Sequence, residues 1–430
     1  MIELRAPVER AILVAAPHAG ESETVVDEHL EELRLLADTA GAEVVATLVQ
    51  RLDAPHPRLY IGSGKADQLR VLAEREQASL VVFDEDLSPA QGSALEQRLG
   101  IRVMDRTELI LDIFALRART AESRLQVELA QLQYLRTRLK RMWTHLSRTQ
   151  GGIGTRGPGE TQLETDRRII DRRITRLRRQ LKQISRGRET RRKARVTEVR
   201  VALVGYTNAG KSSILRALAG GDVFVENRLF ATLDSATRAV ELDGGYRVLL
   251  TDTVGFIRKL PHHLVASFRA TLEEIAHADL LVHVIDVSSS SWEHQAEAVD
   301  RVLHDLGASE RPVLMAFNKV DQVTHSEEEA LRRRSAELYG AHVLTSVIEP
   351  GGLDTLTEAL RRRCAADRPT VELSVPITDG RTLAEAYREA EVLSRAETDS
   401  RVVLTARVPV EVLGRWRRIQ GVTVEGIGES

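Results

Sequence analysis

Eight consecutive residues constrain this chain more than any others: Gly205-Tyr206-Thr207-Asn208-Ala209-Gly210-Lys211-Ser212, preceded by the apolar run VRVALV and followed by the helix-compatible SILRALAG. The spacing G-x-x-x-x-G-K-[ST] makes physical sense as a loop between a buried strand and a helix. Its glycines let backbone N–H groups turn inward as an anion nest at a helix N-terminus, and the lysine adds a neutralising charge. A strand that feeds such a loop belongs to a largely parallel sheet flanked by helices, so this region is expected to be a P-loop α/β domain. The phosphate-binding set runs from Gly205 to Ser213. In it Lys211 neutralises the β- and γ-phosphates and the Ser212 hydroxyl ligates Mg²⁺.

Two further motifs follow in the order that such a site requires. Leu249-Leu250-Thr251-Asp252-Thr253-Val254-Gly255 ends a buried strand in a carboxylate and a glycine. Asp252 can orient Mg²⁺ through water, and the Gly255 N–H can reach a γ-phosphate. Asn318-Lys319-Val320-Asp321 follows the apolar VLMAF. The Asp321 carboxylate can accept from N1–H and the 2-amino group of guanine together. Adenine offers neither donor there, so the motif selects GTP over ATP. Between the first two motifs, Phe230-Ala231-Thr232-Leu233-Asp234 offers Thr232 as a second Mg²⁺-facing hydroxyl; it is preferred to Thr237 because it follows an apolar anchor and precedes a polar turn. Thr345-Ser346-Val347 is expected to lay its backbone against the base.

The reaction these residues predict is hydrolysis of GTP to GDP and phosphate, with Lys211, Asp252 and Gly255 as the catalytic set. Phe256 stands where Ras-like enzymes place a water-orienting glutamine. It cannot hydrogen-bond the attacking water, so intrinsic hydrolysis is expected to be slow and accelerated by a partner. The same residue sustains the alternative of a non-catalytic, GTP-dependent RNA-binding scaffold.

The chain's 430 residues exceed a single ordinary core. Four parts are expected: an N-terminal α/β domain over 1–112, a basic helical hairpin over 113–197, the GTPase domain over 198–365 and a small α+β domain over 366–430. In the first, strands at 12–16, 44–49, 80–83 and 102–104 alternate with helices at 27–39 and 65–76. In the last, a helix is expected near 381–396. An Asp243-Gly244-Gly245 turn predicts one antiparallel edge strand in the GTPase sheet. Apolar residues then recur in steps of three and four at Leu125, Leu129, Leu132, Leu135, Leu139, Met142 and Leu146, and again from Ile170 to Ile184. Two amphipathic helices with an apolar seam follow from that spacing.

The formal net charge of −2 hides a strong segregation, because residues 133–195 hold 20 Lys and Arg against 5 Asp and Glu. A face of one sign points to a polyanion such as RNA. Between the helices lies GGIGTRGPGE, residues 151–160, whose Gly152-Ile-Gly154-Thr-Arg-Gly157 matches the dinucleotide fingerprint literally. It follows a helix rather than a strand, so it is expected to reverse the chain at the hairpin tip and to present Arg156 to RNA. Cys364 is the only cysteine, which excludes an intrachain disulfide and suits a reducing compartment. No run is long enough to span a bilayer. Gly62-Ser63-Gly64-Lys65 lacks the full phosphate-loop spacing and is expected to be a turn before a helix. The histidines show no ligand pattern.

The motif set resembles the HflX family of translation-associated GTPases, itself similar to Obg and Era. The resemblance rests on GGIGTRGPGETQLETDRR (151–168), GYTNAGKS (205–212), LFATLD (229–234), DTVGFI (252–257) and NKVD (318–321). It implies a cytoplasmic protein, with a ribosome- or membrane-associated fraction, that is monomeric when free. It also implies binding to the large ribosomal subunit through the basic hairpin 125–195, and splitting or rescue of stalled ribosomes under stress. Asn208 resembles the P-loop asparagine of potassium-stimulated GTPases, which implies K⁺ near the phosphates.

Overall fold

In the computed structural model the described residues are 8–146, 158–193, 198–220, 229–244, 246–259, 269–366, 368–398 and 400–426. Their contacts divide the chain into two compact units. One gathers Met1–Ala194 with two excursions, Glu226–Asp234 and Val254–Glu273; the other holds Arg195–Val225, Ser235–Thr253 and Glu274–Ser430.

The first unit opens with β1 (Arg10–Ala15), β2 (Glu43–Val49), β3 (Leu80–Phe83) and β4 (Arg102–Asp105), paired in parallel in the order β2-β1-β3-β4. Alternating β-branched strands and helices produce this arrangement, because a parallel neighbour has to be reached by a crossover. The helices are α1 (Glu23–Ala40), α2 (Ser63–Arg75), α3 (Pro89–Leu99) and α4 (Arg106–Arg117). Helix α3 starts on a capping box between Ser88 and Gln91. Gly62 to Lys65 open α2, as the turn-before-helix reading expects.

Two long helices follow, α5 (Ala121–Leu146) and α6 (Pro158–Lys193). Their seam buries Leu129, Ile174, Leu177 and Leu181, against which Leu125, Leu132 and Ile170 pack. These are the positions at steps of three and four. Arg172, Arg176, Arg178 and Arg179 lie on the exposed side of α6. The stretch 151–157, including Arg156, lies outside the described residues.

In the second unit a six-stranded sheet runs β10-β9-β8-β5-β7-β6. Its strands are β5 (Val199–Gly205), β6 (Ala236–Leu242), β7 (Tyr246–Asp252), β8 (Leu280–Asp286), β9 (Val313–Asn318) and β10 (His342–Thr345). All pairs are parallel except β6 with β7, so the one antiparallel strand sits at the edge. Helix α7 (Lys211–Ala219) leaves β5 through the glycine loop. This is the α/β P-loop fold that the motif requires.

An antiparallel sheet completes the unit in the order β12-β13-β11-β14, from β11 (Thr370–Pro376), β12 (Glu391–Glu397), β13 (Arg401–Arg407) and β14 (Thr423–Gly426). Here the expected helix over 381–396 is corrected. The helix spans only Gly380–Glu389, and 391–397 pair with β13 as a strand. The Leu, Arg, Ala and Glu of that stretch have helical propensity, but a partner strand with free hydrogen-bonding groups outweighs propensity at a sheet edge. Among the described residues no helix is long and apolar enough to cross a membrane.

Candidate functional site

The phosphate loop begins where β5 ends. Gly205 has φ 151°, and a Cβ there would stand 2.2 Å from the carbonyl oxygen of Val284 on β8, so a larger residue would wedge the two strands apart. Gly210 is left-handed at φ 99°, and its Cβ would fall 2.2 Å from Nδ2 of Asn318. That nitrogen donates to the carbonyl of Ala209 at 2.9 Å. One buried side chain therefore ties the phosphate loop to the NKVD motif, and the glycine makes room for it.

Within the loop Tyr206, Thr207 and Ala209 are buried, whereas Asn208 is exposed in a left-handed conformation with φ 63°. Lys211 opens α7 and is 5% exposed. Its Nζ donates to the carbonyls of Gly205 at 3.0 Å and Tyr206 at 2.7 Å. An ammonium carries three donors, so the loop's own backbone takes two of them. Burial lowers the Lys211 pKa to about 8, against the opposing pull of Asp252. His283 on β8 is also buried; burial first, and then the Lys211 charge, push it down to about 3, so it stays neutral beneath the loop.

Ser212 Oγ donates to Oδ2 of the buried Asp252 at 2.5 Å, which brings the hydroxyl and the carboxylate of two separate motifs together. Thr253 anchors the end of β7 by donating to the Leu203 carbonyl at 2.7 Å. Ser213 is half-buried on α7. Thr237, the rival to Thr232, lies on β6 with its hydroxyl 2.9 Å from that of Thr251, inside the sheet ladder.

On the base side, Lys319 is left-handed at φ 66° and begins the short turn Val320–Gln322, which carries Asp321. Lys319 Nζ donates to Asp286 Oδ2 at 2.6 Å. Thr345 donates to Asn318 Oδ1 at 3.2 Å. Ser346 is buried and its hydroxyl donates to Asp321 Oδ1 at 2.6 Å, while accepting from the N–H groups of Ile348 and Glu349 at 3.3 Å. Val347 packs partly buried against the GTPase core. The sequence assigns Ser346 a backbone contact; its side chain makes a separate one, to Asp321 of the NKVD motif.

Asp286 and His283 are additions that motif spacing alone does not single out. Asp286 had a signal, since it ends a buried strand beside β5, where open α/β sheets place their ligands. Gly352 is another: a Cβ there would lie 2.3 Å from the Ser346 carbonyl oxygen.

The P-loop, Asp252, Asn318, Asp321 and Ser346 thus meet through direct contacts in one unit. Phe230 to Asp234, together with Val254 and Gly255, belong to the other. There Phe230 and Leu233 are buried, Ala231, Thr232 and Asp234 are half-buried, and Val254 and Gly255 are buried. Phe256 follows them at 1% exposure.

A strand–loop–helix P-loop, a DTVG motif and an NKVD motif define a P-loop GTPase. Residues 200–319 match the family model described as 50S ribosome-binding GTPase. Residues 27–115 and 117–195 match those described as GTP-binding GTPase N-terminal and GTP-binding GTPase Middle Region.

The chain belongs to the HflX family, and it is a GTP hydrolase. It is 44% identical over 419 residues to GTPase HflX of Caldanaerobacter subterraneus, covering 97% of this chain and 95% of the relative. It is 42% identical over 414 residues to GTPase HflX of Escherichia coli, covering 96% and 95%. Among solved structures, that titled crystal structure of SsGBP and GDP complex aligns with TM-score 0.48 at 25% identity, over 84% of this chain and 99% of the other.

Proposed function

We propose that this GTPase is a switch that docks on the large ribosomal subunit and couples the GTP cycle to splitting or rescuing stalled ribosomes under stress. The observation that carries the reading is the basic face of α6, with Arg172, Arg176, Arg178 and Arg179 exposed along one helix, in a chain whose GTPase site is tied together through Asn318 and Ser346. The exposed guanidinium row suits a phosphate backbone, which rewards several fixed cations at once. Arg156, in the stretch of sequence between α5 and α6, would add to it. The four-part division at 1–112, 113–197, 198–365 and 366–430 assigns RNA contact to the second part and nucleotide to the third. A monomer when free, acting in the cytoplasm, fits this use.

Within the site, Gly205 to Ser213 would cradle the phosphates, with Lys211 giving its remaining donor to them. Thr253, Val254 and Gly255 would face the γ-phosphate, and Asn318 to Asp321 would hold guanine, with Ser346 and Val347 beside it. The oxygen donors Ser212, Thr232 and Asp252 suit Mg²⁺, which prefers hard oxygen ligands and would supply positive charge against the phosphates. Ser212 and Thr232 would hold that ion directly through their hydroxyl oxygens, while Asp252, which accepts from Ser212, would orient it through water. The exposed Asn208 would help to hold K⁺. Phe256 has no hydrogen-bonding group, so turnover by the free protein should be slow.

Turnover measured with and without purified large subunits tests the proposal. Strong stimulation is expected, and Arg156→Ala should weaken subunit binding with GTP affinity unchanged. No stimulation at saturating subunits would favour the scaffold reading instead.

A further inference from the structure

The helix Asp354–Ala366 carries two stripes at helical spacing. Leu356, Leu360 and Cys364, at steps of four, are buried in the core of the GTPase sheet. The stripe beside them, Thr355, Glu358, Ala359, Arg362 and Arg363, lines a cleft of about 680 Å³ instead. Its other walls include the first residues of three strands, Leu280 of β8, Val313 of β9 and His342 of β10, together with Arg332 from the helix His325–Leu338.

This cleft is separate from the nucleotide site. The phosphate loop, Asp252 and Asn318 stand at the carboxyl ends of the strands, whereas the cleft takes the amino ends. At about 3.3 Å of rise per residue, the length of β9 puts roughly 17 Å between Val313 and Asn318.

Sites for small organic ligands have volumes of this order and combine an apolar wall with a few polar groups. Here Leu314 and Val343, buried in the sheet core, and Ala359, packed against it, supply the apolar wall. The charged groups are mostly of one sign, because three arginines line the cleft against one carboxylate, Glu358. That carboxylate is already engaged. It accepts from Arg361 at 2.7 and 2.9 Å and from Arg362 Nε at 2.8 Å, and these bonds hold its pKa down at about 2. Arg332 gives Nε and Nη2 to Glu328 at 3.1 and 2.6 Å. A guanidinium carries five N–H donors, so Arg332 and Arg362 both keep donors for a ligand. Such forks match the planar geometry of a carboxylate. His342 adds a buried Nδ1 that has no hydrogen-bond partner among the described residues. Orphans of that kind are uncommon, and this one belongs to a ring that lines the cleft.

We propose that the cleft is a second ligand site of this chain, for a small amphiphilic carboxylate whose hydrocarbon body lies against Leu314, Val343 and Ala359 and whose head is held by Arg332 and Arg362. A cationic head would meet like charge there, and a neutral one would leave the guanidinium donors without an anion.

The test uses the full chain saturated with GDP, so that the nucleotide site is filled. Decanoate, kept below its micelle-forming concentration, is the probe; decanol and decyltrimethylammonium have the same chain with a neutral and a cationic head. Affinity is measured by calorimetry, and the place of binding by hydrogen exchange. Decanoate is expected to bind saturably and to slow exchange over residues 340–345 and 354–363, with both controls at least about tenfold weaker, as loss of a hydrogen-bonded charge implies. The side chains of Arg332 and Arg362 are 60% and 76% exposed, so they can be changed without disturbing the core. Arg332→Gln with Arg362→Gln should weaken decanoate by about tenfold, and Arg332→Lys with Arg362→Lys should retain most of the affinity. Ala359→Met should weaken it by filling the apolar wall, and GDP affinity equal to wild type in each variant reports an intact fold. Equal binding of decanol overturns the carboxylate class. No saturable binding, protection that falls on the basic helices α5 and α6 instead, or an affinity indifferent to both the glutamine pair and Ala359→Met overturns the site.

Discussion

Ser346→Ala removes one oxygen from the base side of the site and should cost guanine affinity out of proportion to its size. The hydroxyl donates at 2.6 Å to Asp321, and Ser346 is only 1% exposed, so water cannot readily replace it. A hydrogen bond to a charged group contributes about 1.5–3 kcal/mol. Asp321 itself is half-buried, and part of that energy is recovered by solvent when the carboxylate is released. A net loss of about 1–2 kcal/mol remains, which is a weakening of GDP binding by roughly five- to thirtyfold. The two 3.3 Å bonds from Ile348 and Glu349 are long and add little. Titration with a fluorescent GDP would measure the loss, with thermal unfolding run alongside to confirm an intact fold. A double-mutant cycle with Asp321→Ala then isolates the mechanism. If Ser346 acts by orienting the carboxylate, its removal should matter little once Asp321 is gone, giving a coupling of about 1 kcal/mol or more. Additive losses would refute the orienting role, and so would a single-mutant change under twofold.

Gly210→Ala should abolish nucleotide binding and lower stability, since the added Cβ meets Asn318 Nδ2 at 2.2 Å in a left-handed backbone; normal GDP affinity with an unchanged melting temperature would contradict this. Lys211, lowered to about 8 by burial, should make nucleotide binding take up about half a proton at pH 8 and almost none at pH 6.5, readable from the buffer dependence of binding heat. The sign for stability follows: the folded pKa lies below the unfolded one, so the unfolded chain binds more protons between about 8 and 10.5, and stability should rise with pH across that window relative to Lys211→Met. Leu177→Ala in the seam of α5 and α6 deletes a side chain with 0% exposure and should destabilise the hairpin by about 2–4 kcal/mol, seen as faster hydrogen exchange along α6 with GDP affinity intact.

Much of this protein follows from its linear pattern. A G-x-x-x-x-G-K-[ST] loop specifies strand before and helix after, because only a helix N-terminus completes the anion nest, and Gly205 to Ser212 obey it. Steps of three and four placed Leu129, Ile174, Leu177 and Leu181 on one seam, because such residues share a helix face. The DGG turn marked the antiparallel edge strand. Residues 391–397 failed the same test, since pairing with β13 is a non-local partnership that local propensity does not encode.

What only the tertiary structure decided are the contacts between residues far apart in sequence. Asn318 reaches back 109 positions to Ala209, and Ser346 turns its hydroxyl rather than its backbone to the neighbouring motif. Lys259 crosses 175 positions to find Asp84. Periodicity and motif spacing report neighbours along the chain and the face a residue occupies. Which buried carboxylate a lysine meets depends on which distant loops the fold brings together, and that is fixed when the chain folds.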